Sequence, residues 1–151
     1  MSSVYFNTAD THSLEACGFK LVRGGTHNSR TMMLAELQMV LRAVDENATA
    51  PDYAEAIVTR NVLAKDTVST RKKTLEHLKE LYTLSPKTPL FRILRRLYRI
   101  DPGSLPQIAA LIALARDPLL RSSAEIILPM VDGEVVTPDE IAKVVNEITE
   151  Q

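Results

Sequence analysis

Pro89-Leu-Phe-Arg-Ile-Leu-Arg-Arg-Leu-Tyr-Arg-Ile100 decides the fold class. Leu90, Ile93, Leu94, Leu97 and Tyr98 recur at helical spacing, and Arg92, Arg95, Arg96 and Arg99 fall at i, i+3, i+4 and i+7. A helix over 89–100 therefore turns an apolar face inward and an arginine stripe outward. Pro89 suits a first helical turn, where its missing N–H has no partner to lose, and Asp101-Pro-Gly103 ends the helix. Like charges on one helix face repel. No acidic residue inside the helix offsets them, so either the acidic end of the chain or a phosphate backbone is the expected counter-charge.

The same periodicity extends in both directions from this helix. Asn28 to about Glu46 reads as the first long helix, capped by Asn28 or Ser29, with Leu34, Leu37, Leu41 and Val44 on one face. Pro51 opens a second helix, about 51–63, that buries Tyr53, Ile57 and either Val58 or Val62. Ser69 or Thr67 caps a third, about 69–83, with Leu75, Leu78, Leu81 and Tyr82 inward. Beyond the arginine helix, 104–116 is apolar nearly all round and should be central. A sixth helix covers 119–128. Thr137-Pro138-Asp139-Glu140 is a capping box that opens the last helix, 138–149, with Ile141, Val144, Val145 and Ile148 inward. Ahead of all these, Ala9 to Ala16 gives a helical turn ended by Gly18, with Tyr5 and Phe6 packed on the core. No useful strand alternation is present. The expectation is an all-α, compact multi-helix bundle of about seven helices. Residues 1–100 form an N-terminal lobe, and 101–151 pack on it as the C-terminal part of one domain.

With 151 residues, 45% apolar and 25% charged, the chain can bury a real core. Its single cysteine, Cys17, leaves no internal disulfide and fits a reducing cytosol. His12, His27 and His77 lack metal-ligand spacing. The Gly24-Gly-Thr-His-Asn-Ser29 run lacks the Gly-Lys-Ser/Thr half of a phosphate-binding loop, and there is no Gly-x-Ser-x-Gly elbow. A non-enzymatic protein without cofactor or metal is expected. The most apolar run, Ile108 to Ala115, is far shorter than the roughly 20 residues that cross a bilayer, so a soluble, cytoplasmic chain is expected.

The net charge is −1, but its distribution is uneven. Residues 1–59 carry four Lys/Arg and seven Asp/Glu, residues 60–100 eleven and three, and residues 101–151 three and nine. The middle segment is thus +8, which points to an anionic partner, unless its acidic neighbours cancel it. Within it, about 51–83 has the layout of a helix-turn-helix hairpin. Ser69, Thr70, Arg71, Lys72 and Lys73 at the start of its second helix suit phosphate and base contacts. Arg92, Arg95, Arg96 and Arg99 suit sequence-blind phosphate contacts. The same residues would also serve as a solvated basic face. Arg23 and Arg30 flank a helix start, where free N–H groups favour an anion.

Taken together, Arg23-Gly-Gly-Thr-His-Asn-Ser-Arg-Thr-Met-Met-Leu-Ala-Glu-Leu37, Asn61-Val-Leu-Ala-Lys65 and Ser69-Thr-Arg-Lys-Lys73 resemble the BrxA family of the BREX phage-exclusion systems, over about residues 18–100. The resemblance implies a small, all-helical, non-enzymatic bacterial protein. It would bind double-stranded DNA and act in phage defence beside a methyltransferase and other components. It also implies a further C-terminal segment of some tens of residues beyond this chain. Arg23, Thr26, His27, Ser29 and Arg30 would then be a second phosphate contact or a partner surface. Two other readings use the same basic face: a protein–protein adaptor within the defence complex, and an RNA-binding helical bundle.

Overall fold

The structure, a computed structural model, describes residues 10–21 and 32–149. It consists of α1 (Thr11–Cys17), α2 (Leu34–Ala43), α3 (Ala50–Ala54) continued by a π-helical turn (Glu55–Thr59), α4 (Val68–Tyr82), α5 (Pro89–Ile100), a 3-10 turn (Pro102–Ser104), α6 (Leu105–Arg116), α7 (Pro118–Ile127) and α8 (Pro138–Thr149). No strand occurs among the described residues, so the chain is all-α. Tyr5, Phe6 and the whole of 22–31, including the expected caps Asn28 and Ser29, lie outside the described residues.

Helix starts follow side-chain chemistry. Asp10 accepts from the Ser13 N–H, Thr67 from the Thr70 N–H, and Asp117 from the Leu119 and Leu120 N–H groups. Thr67 rather than Ser69 is therefore the cap of α4. The Thr49 N–H and hydroxyl both donate to Asp52, at 2.6 and 2.7 Å. Thr137 and Glu140 exchange the reciprocal bonds of the expected capping box. Hydrogen bonds to these threonines hold the Asp52 and Glu140 carboxyls below the usual range.

Two helix readings need correction. The helix expected from Asn28 starts at Leu34, after Met33 at φ 51. The chain enters it already anchored, because Met33 is buried and the Tyr82 hydroxyl donates to the Met32 carbonyl at 2.6 Å. The face of α5 is also rotated. Phe91, Leu94 and Tyr98 enter the core, whereas Ile93 and Leu97 remain 52% and 41% exposed. The reason is neighbour geometry. α5 carries more apolar residues than one core-facing stripe holds, and the stripe that includes Phe91 meets Tyr53 edge-on at 5.3 Å.

One core joins Leu37, Val40 and Leu41 of α2, Tyr53 and Ile57, Leu75, Leu78 and Tyr82 of α4, the inner face of α5, and Leu105, Ile108 and Ala109 of α6. α6 is the central helix, as its apolar circumference indicates, and packs on α2, α4, α5 and α7.

Helix ends rely less on glycine than on arginine. Gly18, at φ 107, does close α1, and a Cβ there would lie 2.5 Å from the Thr88 methyl. Elsewhere guanidinium groups from distant segments meet the exposed carbonyls. Arg116 donates from Nε (3.0 Å) and Nη2 (2.8 Å) to the Glu80 carbonyl and from Nη1 (2.6 Å) to that of Gly18. Arg121 donates to the Leu114, Ala115 and Lys20 carbonyls. Burial lowers the pKa of both groups, but an arginine starts so high that they stay charged.

Arg116→Ala should therefore destabilise the protein by about 2 kcal/mol or more in urea unfolding, since two carbonyls lose charged donors. Arg116→Lys should recover little of this, because an ammonium cannot span both acceptors as a planar fork does. Burial also raises the pKa of the Tyr53 and Tyr82 phenols. The unfolded chain ionises these groups near pH 10 while the fold keeps them neutral. Their contribution is complete below that pH and lost above it, so the urea midpoint should fall on the alkaline side. Tyr82→Phe should flatten that fall.

Candidate anion-binding face

α5 owes its arginine stripe to helical spacing, but neighbouring segments decide what each arginine does. A cavity of about 410 Å³ lies between α5 and the 46–48 segment, lined by Arg92, Arg95, Arg96 and Arg99 together with Glu46, Asn47, Ala48, Tyr53, Pro86 and Phe91. The buried Tyr53–Phe91 pair belongs to its floor.

Arg95 is half-buried and donates from Nη1 to the Leu41 carbonyl (2.8 Å) and from Nη2 to that of Val44 (3.3 Å). It closes the C-terminal end of α2, where the helix dipole favours a cation. Its Nε is buried without a hydrogen-bond partner. Arg60 reaches the same helix end, donating to the Ala43 carbonyl at 3.3 Å. Arg92 donates from Nη1 to the Pro86 and Lys87 carbonyls. Arg99 pairs with Glu46 at 2.7 Å, with both side chains about half exposed, a geometry in which an ion pair contributes little and opens readily. Arg96 is exposed, and its side chain has neither ion pair nor hydrogen bond among the described residues. The counter-charges to this stripe are thus α2 carbonyls, loop carbonyls and Glu46, rather than the acidic 101–151 segment.

The α3–α4 hairpin behaves similarly. Its connection covers residues 60–67, longer than the three- to four-residue turn of a DNA-binding hairpin. Asn61, at φ 52, brackets it: its amide donates to the Lys65 carbonyl and its oxygen accepts the Lys65 N–H. Arg71 completes the turn, donating from Nε to the Lys65 carbonyl and from Nη1 to the Val58 carbonyl, both at 3.2 Å. Arg71, one of the residues expected to contact phosphate and bases, is therefore half-buried and tied to backbone carbonyls. Thr70 is paired to Thr67 through their hydroxyls at 2.9 Å. Ser69, Lys72 and Lys73 are exposed. Lys65 also pairs with Glu36 in the first turn of α2. Lys65 thus lies at the start of α2, whereas Arg60 and Arg95 meet at its end.

Arg23, Thr26, His27, Ser29 and Arg30 lie outside the described residues. Reading the sequence missed Glu46, Asn47 and the carbonyls of Pro86 and Lys87. Only an acidic residue just past a helix end hinted at the first, and backbone acceptors leave no mark in a sequence. No protein-family model, curated protein or solved structure matches the chain. No helix among the described residues is long and apolar enough to cross a membrane.

The two kinds of arginine should separate in a melting experiment. Arg95→Gln should cost about 1–3 kcal/mol by leaving α2 carbonyls unpaired. Arg96→Gln should stay within about 0.5 kcal/mol of the parent protein.

Proposed function

We propose that this chain is a non-enzymatic protein that binds double-stranded DNA through its phosphate backbone, with little sequence preference. The observation that carries the reading is the α5 cavity, where four arginines face one carboxylate, Glu46. Guanidinium groups suit phosphate oxygens because their N–H groups are fixed in a planar fork. Arg92 and Arg99 bond their present partners through Nη1 alone, which leaves further N–H groups on each. Lys72 and Lys73 add exposed point charges on α4. The engagement of Arg71 removes the best candidate for a guanine contact, which favours sequence-blind binding. The likeness to the BrxA family supports a setting in BREX phage defence in the bacterial cytoplasm, beside other components of that system.

Fluorescence titration of a labelled duplex tests the reading at two salt concentrations, about 50 and 200 mM. Affinity should drop steeply with salt. Lys72→Glu, Lys73→Glu and Arg96→Glu combined change only exposed side chains. That variant should bind at least about 100-fold more weakly at low salt and reduce the salt slope by roughly three. Absence of binding at low salt, or an unchanged slope in the triple variant, would falsify the reading. An RNA duplex that outcompetes DNA would replace DNA as the ligand.

A further inference from the structure

Another concavity has the opposite character. A groove of about 490 Å³ runs between α5, α6 and α7. Its walls are Ile93 and Leu97 of α5, Leu111 of α6 and Leu128 just past α7, with Ile108 and Ile112 beneath. Leu111 is 66% exposed and Leu128 60% exposed. Single exposed aliphatics are ordinary, but a contiguous set lining a concavity marks a binding surface. The sole charged side chain in the lining is Arg121. Its guanidinium already donates to the Leu114, Ala115 and Lys20 carbonyls. A polar small molecule would find little to orient it here. Recognition must come from apolar anchors and from charge at the rim.

The α5 rim is cationic. Arg96 stands three residues after Ile93 and four before Ile100, so it is their neighbour on the helix surface. It has no side-chain partner among the described residues. Arg92 and Arg99 lie next round the helix, away from the core. A two-fold pairing that sets α5 against α5 would bring Arg96 towards Arg96, which disfavours that form of a second copy.

We infer that the groove receives an amphipathic helix from another protein, whose apolar stripe enters between α5 and α6 and whose acidic flank lies against Arg96. This is the helix-in-groove mode, with anchors at i, i+3 or i+4, and i+7. The groove shares Arg96 with the proposed phosphate contacts but not its apolar lining, so Leu111→Glu tests the groove alone, whether or not the protein binds DNA.

The probe is a fluorescein-labelled peptide of about 18 residues, long enough to form helix on binding. It carries Leu at the anchor positions and Glu along one flank. A control peptide has Lys in place of each Glu. Anisotropy titrations use the whole chain, with sedimentation in parallel. The Glu peptide should bind at least about tenfold more tightly than the Lys peptide. Leu111→Glu, at an exposed position, should abolish binding without lowering the melting temperature. Arg96→Glu should reverse the preference towards the Lys peptide. Equal binding of both peptides, or binding indifferent to Leu111→Glu, overturns the inference. So does a dimer in sedimentation that Leu111→Glu dissociates, which would make a second copy the occupant. Peptide binding that appears only after deletion of residues 1–9 also overturns it, in favour of the chain's own N-terminal segment.

Discussion

Every short helix leaves its last turn of carbonyl groups without partners, and in this chain those groups are met chiefly by guanidinium side chains. Arg95 and Arg60 close α2, Arg71 closes the π-helical turn after α3, and Arg121 closes α6. Arg116 ties α4 and the turn after α1 to the end of α6. With five glycines in 151 residues, the left-handed glycine ending is seldom used. The alternative costs strain. Thr83 and Leu84 end α4 at φ 65 and 47, and the buried Thr83 hydroxyl has no hydrogen-bond partner. At that same end Arg116 also meets the Glu80 carbonyl, and such arginines fix which segments lie together.

This changes what the +8 segment means. Much of that charge answers the helix dipoles and loop carbonyls of the protein itself. What remains for a partner is smaller: Arg96, Lys72, Lys73, Lys79 and Lys87, with the outward donors of Arg92 and Arg99. Charge counted along a sequence is thus an upper bound on charge presented to solvent. α5 shows it within a single helix, since its four arginines share one face and have four different fates.

The helical class, the proline starts, Gly18 as a stop and the Thr137–Glu140 box were legible because each depends on residues within a few positions of one another. The late start of α2 was not, because it depends on Tyr82, fifty residues on, holding Met32. The rotation of α5 was half legible. Its apolar residues exceed one stripe and α6 is apolar nearly all round, so two helices had more apolar surface than the core could take. That excess is the groove. The cavity was legible only as an arginine spacing, because its other walls come from loops that no periodicity describes.

The bonds that fix the turn after α1 reach about a hundred residues along the chain. The Gly18 carbonyl waits for Arg116, and Lys20 is held by Ala115 and Arg121. α1 also rests on α5, but the polar bonds of its exit turn to other helices go to the end of α6 and the start of α7. A change at Arg116 or Arg121 therefore acts on a segment about a hundred residues earlier in the chain.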